Sequence, residues 1–183
     1  MKILAISGSL RSASHNTSLL RAAQELAPEG VELELWDGLK AVPPYDEDDE
    51  VAGAPAVVEL FDAIAGADAI LFATPEYNSS IPGQLKNAVD WASRPRATAP
   101  LRNVPVAVVG ASTGMFGAVW AQAELRKALA SAGARVLDAE LPVPAAHTKF
   151  DDDGVLVDED VRNGLRGVVE TLVSIAAPAP IPA

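Results

Sequence analysis

Short apolar runs alternate along this chain with longer stretches in which apolar residues return every third or fourth position. Ile3, Leu4, Ala5 and Ile6 form the first run, the pattern of a strand buried on both faces. Leu19, Leu20, Ala23 and Leu26 then recur at helical spacing. Val31, Leu33 and Leu35 alternate with Glu32 and Glu34, which predicts a strand with one wet face. The acidic stretch Asp37 to Val51, with Pro43, Pro44 and Tyr45, predicts an irregular loop. Val57, Leu60, Phe61 and Ile64 mark a second helix ending near Gly66, and Ala69 to Ala73 make a wholly apolar third strand. Pro82 opens a third helix whose inner face is Leu85, Ala88 and Val89. Beyond a connector from Ser93 to Asn103, Val104 to Gly110 predicts a fourth strand. Ala118, Ala121, Leu125, Ala128 and Leu129 predict a fourth helix closed by Gly133. Val136 to Leu141 reads as a shorter, more polar fifth strand, ended by Pro142 and Pro144. Asp151 to Gly154 reads as a solvated turn, because the spacing and closing Glu of a calcium loop are missing. The last helix runs from about Asp158 to Ser174.

Five alternations of strand and helix call for an α/β fold, a parallel sheet covered on both faces by right-handed crossovers. The first, third and fourth strands are apolar throughout and belong in the centre; the second and fifth carry charge and suit the edges. The order 2-1-3-4-5 satisfies this. In such a sheet the ligand crevice lies beyond the carboxyl ends of the first and third strands, and the polar loops after all three central strands open onto it.

Composition narrows the chemistry. With 183 residues the chain suits one domain, with residues 1–176 as the folded unit and 177–183 as a flexible Pro/Ala tail. No run approaches the ~20 apolar residues of a membrane span. Met1 leads directly into the first strand without a signal-peptide pattern, so a cytoplasmic location is the expectation. The absence of cysteine excludes disulfides and thiolate chemistry, and the two isolated histidines make no metal site. A net charge of −11 repels polyanions, so no nucleic-acid partner is expected, and it makes Arg11 in the first loop more telling.

That first loop offers Ser7, Ser9, Ser12, Ser14, Thr17 and Ser18 as hydroxyls, Asn16 as an amide and Arg11 as a guanidinium fork, all delivered to a helix N-terminus. Gly8 alone does not make a Walker loop or a dinucleotide fingerprint. Side-chain donors around one Arg suit a terminal phosphate monoester. The alternative is an ordinary helix start with Ser14 or Asn16 as N-cap. After the third strand, Pro75, Glu76, Tyr77 and Asn78 present a stiff turn, an aromatic ring and an amide, fit either for the polar edge of a flat heterocycle or for a proline-led cap. The loop after the fourth strand, with Ser112, Thr113, Gly114 and Gly117, permits close approach by backbone and hydroxyl, as ordinary loop residues also do.

These stretches resemble a known family, the NAD(P)H-dependent FMN reductases of the flavodoxin-like fold, a group that includes bacterial quinone and chromate reductases. GSLRSASHN at Gly8 to Asn16 is similar to its phosphate loop, and TPEYNSSIPGQLKNAVDWASRP at Thr74 to Pro95 to its flavin-edge motif. The resemblance runs from Met1 to about Ser174 and implies a three-layer sandwich. It implies FMN as cofactor, NADPH or NADH as co-substrate, and a small-molecule electron acceptor such as a quinone, chromate, an azo compound or free flavin. It further implies that Ser9, Arg11, Ser14, Asn16 and Thr17 hold the FMN phosphate. Pro75, Glu76, Tyr77 and Asn78 then line the isoalloxazine, with Ser112, Thr113 and Gly114 on its far side. No catalytic acid or base is assigned, since the chemistry belongs to the cofactor. Relatives form homodimers or homotetramers, and the acidic loop, Trp91, Trp120 and Arg126 are candidate contacts. In one departure, Ala118 stands where many relatives carry the second glycine of a pair. His15 is expected to face solvent at the helix start. Two readings compete with the reductase: a flavodoxin-type FMN electron carrier, and a nucleotide or sugar-phosphate binding module without a redox role.

Overall fold

A computed structural model describes residues 1–51 and 53–177. The expected tail beyond Ala177 lies outside the described residues. Strands β1 (Lys2–Ser7), β2 (Glu32–Trp36), β3 (Ala69–Ala73), β4 (Pro105–Ala111), β5 (Arg135–Val136) and β6 (Pro142–Val143) build one sheet. They alternate with helices α1 (His15–Leu26), α2 (Pro55–Ala65), α3 (Gly83–Ala92), α4 (Val119–Ser131) and α5 (Glu159–Ala176). The main path is β2-β1-β3-β4-β5, parallel throughout, which is the order that strand polarity alone had required. The three central strands are buried along their lengths, apart from Lys2 at the open end of β1.

The double burial of those strands creates two cores. On one face Ile3, Ala5, Leu71 and Val109 pack under Leu19, Leu20 and Ala23 of α1 and Leu165, Val169 and Leu172 of α5. On the other, Leu4, Ile6, Ile70, Phe72 and Val108 pack under Leu60 and Ile64 of α2, Leu85 and Val89 of α3, and Leu125 and Leu129 of α4. The helices begin where side-chain chemistry says they should: Ser14 Oγ accepts from Thr17 N–H at α1, and Asp158 Oδ1 accepts from Val161 N–H at α5. The Asp151 turn is closed by its own carboxylate, which accepts from the N–H groups of Asp153 and Val155. The acidic loop is more ordered than expected, with short 3-10 turns at Gly38–Ala41 and Glu47–Asp49.

The fifth strand is a correction. Val136 to Leu141 does not run as one strand: β5 pairs with Pro105 and Val106, β6 pairs with Gly110 and Ala111, and the chain between them bows away. Side chains of α4 take over from the ladder there. Gln122 Oε1 accepts from Leu141 N–H, and Arg126 donates to Ala139 O and pairs with Glu140. Pro142, expected to end a strand, instead begins β6, where a missing donor on the outer edge leaves no neighbour unpaired.

Candidate functional site

Parallel order puts the carboxyl ends of β1, β3 and β4 side by side, and hydrogen bonds lace the loops that follow them. Gly8 N–H donates to Ala73 O at 2.8 Å, and Thr74 N–H to Val109 O at 3.0 Å. Gly8 allows the first loop to lie against α3: a Cβ there would stand 2.7 Å from a Leu85 methyl. The first loop is then tied to the third by Asn16, whose Nδ2 donates to Ala111 O and whose Oδ1 accepts from Ala111 N–H, both at 2.9 Å. The second is tied to the third by Glu76, whose Oε2 accepts from the N–H groups of Trp120 and Ala121, both at 3.1 Å. Those are free donors of the first turn of α4, which has no side-chain cap of its own because Ala118 precedes it.

These ties commit two of the expected side chains. The Asn16 side chain is buried and committed at both ends to Ala111, which leaves its main-chain N–H for a ligand. Glu76 Oε2 is engaged as the cap of α4, which leaves the main-chain N–H of Glu76 without an acceptor among the described residues. Ser14 is likewise a buried N-cap, and Thr17 Oγ1 donates to Ser7 Oγ at 2.9 Å. His15 does not face solvent freely: it is half-buried, with its ring stacked on Phe150 at 5.4 Å. Burial, then the neighbouring Arg11 and His147, hold its imidazole below the usual histidine range.

What remains in the first loop is a concentration of donors. The N–H groups of Leu10, Ser12, Ala13, His15 and Asn16 have no protein acceptor among the described residues. The Arg11 guanidinium is exposed and makes no ion pair or side-chain hydrogen bond among them. Ser9 Oγ accepts from Arg11 N–H at 3.4 Å, which folds the loop back over the helix start. A cradle of unpaired N–H groups, one guanidinium and a helix N-terminus has the chemistry of an oxyanion site.

The second loop is a two-residue turn. Tyr77 and Ser80 exchange main-chain hydrogen bonds of 2.9 and 3.1 Å around Asn78 and Ser79, both at positive φ (53° and 60°). Such a turn leaves its central N–H groups unpaired and pushes the Tyr77 ring into the open. Pro75 is half-buried, its carbonyl accepting from Thr74 Oγ1 at 2.8 Å. In the third loop Ser112 Oγ accepts from Gly114 N–H at 3.1 Å, and Thr113 and Gly114 are exposed. The backing of this loop escaped the sequence: Ser112 N–H donates to Val143 O, Ala146 N–H to Ser112 O and Ala145 N–H to Gly114 O. So did an exposed aromatic pair, Phe116 and Trp120, edge to face at 4.8 Å, with Met115 beside it 77% exposed. Large apolar residues inside a polar loop were the available signal.

Comparison with known proteins places this arrangement. Residues 1–148 match the profile of the NADPH-dependent FMN reductase family. An NAD(P)H-dependent FMN reductase of Pseudomonas aeruginosa is 44% identical over 174 residues, 94% of this chain and 93% of that protein. A quinone reductase of Pseudomonas putida is 36% identical over 94% of this chain and 92% of its own. Among solved structures, the flavoenzyme NAD(P)H:(acceptor) oxidoreductase of Paracoccus denitrificans superposes with a TM-score of 0.84 at 34% identity, covering 96% of each chain.

Proposed function

The chain belongs to the NADPH-dependent FMN reductase family and is an NAD(P)H-dependent FMN and quinone reductase with a flavodoxin-like fold; from that premise we propose that the crevice over β1, β3 and β4 holds FMN in a single domain of residues 1–176. The observation that carries the placement is the donor cradle at Leu10 to Asn16, whose unpaired N–H groups and free guanidinium match a phosphate monoester. Ser9 and Arg11 hold the phosphate by side chain, and the first turn of α1 holds it by N–H. Ser14, Asn16 and Thr17 keep the loop in shape for it.

FMN held there would supply the redox chemistry, hydride transfer between NADPH or NADH and a small acceptor such as a quinone. The protein's part is placement and electrostatics. The Asn78 and Ser79 N–H groups offer fixed donors to the polar edge of the ring, with Pro75 and Tyr77 beside them, and such preorganised donors favour negative charge developing there. Ser112, Thr113 and Gly114 wall the far side. Glu76 and Asn16 hold the three loops at constant separation, so the ring site does not depend on loop closure. Phe116 and Trp120 leave an aromatic surface at the mouth where a flat acceptor can stack. Chromate, azo compounds and free flavin belong to the same acceptor class. Among the described residues no helix is long and apolar enough to cross a membrane. The functional unit is a homo-oligomer.

Anaerobic addition of NADPH or NADH to the FMN-loaded protein bleaches the flavin absorbance at the turnover rate if this assignment holds. A flavin that stays oxidised identifies a carrier instead. Arg11→Ala is expected to weaken FMN binding by about 10–100-fold, the equivalent of a charged hydrogen bond. An unchanged dissociation constant moves the phosphate elsewhere.

A further inference from the structure

A phosphate monoester brings close to two negative charges at neutral pH, whereas the cradle from Leu10 to Asn16 holds one guanidinium, Arg11, and no lysine. Unpaired N–H groups and a helix N-terminus solvate the second charge but add no full positive charge against it. The next groups able to supply one are the two histidines of the chain, His15 and His147, and folding brings them within range of each other and of Arg11.

His15 is the first residue of α1, and its own N–H is one of the unpaired donors of the cradle. Its ring stacks on Phe150 with 5.4 Å between centroids and 24° between planes. An imidazolium keeps such a stack and gains from the π face beneath it. Phe150 is buried and closes the turn whose Ala145 and Ala146 N–H groups bond Gly114 O and Ser112 O, so the imidazole is clamped between the first loop and the backing of the third. Neither ring nitrogen is sealed from water without a partner.

The charges on the elements packed around His15 are accounted for. Arg11 comes from the first loop and His147 from the turn at Ala146–Thr148. Lys149 pairs with Asp158 at 2.6 Å, and Asp158 also accepts from Val161 N–H. Asp151 is turned onto the N–H groups of Asp153 and Val155, with Asp152 and Asp153 exposed in the same turn. In the first turn of α5, Glu159 and Arg162 stand 3.9 Å apart. Burial first, then Arg11 and His147, hold the His15 imidazole below the usual histidine range, and no carboxylate acts against them. His15 is therefore neutral near pH 7, and an arriving dianion is the one charge that reverses this balance.

We propose that His15 is the second cation of the phosphate site: it takes a proton from solvent when the FMN phosphate docks, so that FMN binding is coupled to proton uptake and tightens as pH falls towards neutrality. The proton adds to a neutral imidazole, and the flavin keeps its oxidation state. His147, exposed on the facing turn, has the smaller share. The inference rests on the FMN reading of the crevice and adds a charge-balancing residue to it. Its window lies above about pH 6, where the phosphate itself begins to take a proton.

Calorimetric titration of the full untagged chain with FMN at pH 7.5, in buffers of different ionisation enthalpy, counts the protons. About half a proton per FMN is expected, with a dissociation constant about 3–10-fold lower at pH 6.5 than at pH 8.5. His15→Asn is expected to bind FMN with neither the uptake nor the pH dependence, and His147→Asn to retain most of both. With two histidines in the chain, proton NMR gives a second reading on the wild type: the imidazole signal that persists in His147→Asn is His15, and its titration midpoint is expected to rise on FMN loading. FMN binding without proton uptake, uptake that survives in His15→Asn, or a His15 midpoint that stays put overturns the inference and leaves the FMN site standing. A protein that binds no FMN at any pH overturns both.

Discussion

The Asn16 carboxamide joins the end of β4 to the start of α1 through two buried hydrogen bonds. Asn16→Ala strands the N–H and C=O of Ala111, and is expected to cost about 2–4 kcal/mol, read as a lowered urea midpoint. From sequence alone, an Asn at a helix start looks like a cap or an anion ligand, because the residue it actually serves lies 95 positions away. The unpaired state of Arg11 was easier to read, since a lone guanidinium in a hydroxyl-rich loop has no carboxylate near it in the chain, and the structure leaves it exposed and without an ion pair among the described residues. His15 sits between these cases. Its proton affinity is reduced in the fold, first by burial and then by Arg11 and His147. The unfolded chain therefore takes up the proton first as pH falls, and stability is lost downward from the ordinary histidine range, about pH 6.5. Melting temperature followed from pH 8 to 5 is expected to fall less steeply in His15→Asn. Asp158, whose carboxyl is held below the usual range by Lys149 and the Val161 N–H, adds its own loss only at lower pH.

At the scale of elements, the turn into α4 shows what pattern reading reaches and where it stops. Gly117 has φ +58°, and a Cβ on it would stand 2.5 Å from Val143 N and 2.7 Å from Pro142 C, backbone atoms with nowhere to go. Gly117→Ala is expected to destabilise by about 3 kcal/mol or more, measured by chemical denaturation. Ala118 adopts φ 61°, a conformation glycine takes without strain, so Ala118→Gly is expected to change stability by less than about 1 kcal/mol, relief of strain offsetting the loss of a buried methyl. Neither that strain nor the Glu76 cap that steadies the same turn was visible in the sequence. The fifth strand failed for a related reason. Leu137, Ala139 and Leu141 do pack against the core, as their alternation suggested, but Gln122 and Arg126 of α4 claim the backbone that a strand would have given to β4. Periodicity reports which side chains are buried and is silent about which groups take the main-chain hydrogen bonds.

For the whole molecule, β3 is the common wall of two cores, Leu71 serving one and Ile70 the other. Leu71→Ala, at a fully buried site, is expected to cost about 2–5 kcal/mol, while the half-buried Leu35→Ala on β2 costs less, by the same denaturation assay. The sheet's order was legible because burial on one or two faces writes itself into strand composition. The outer margins of the sheet carry a different message. β2 shows Glu32 and Glu34 to water, and the broken far strand offers Pro142 and Pro144, which have no N–H to extend a ladder. Both rims are poor templates for a neighbour's strand, so concentrating this protein is expected not to seed thioflavin-positive fibrils.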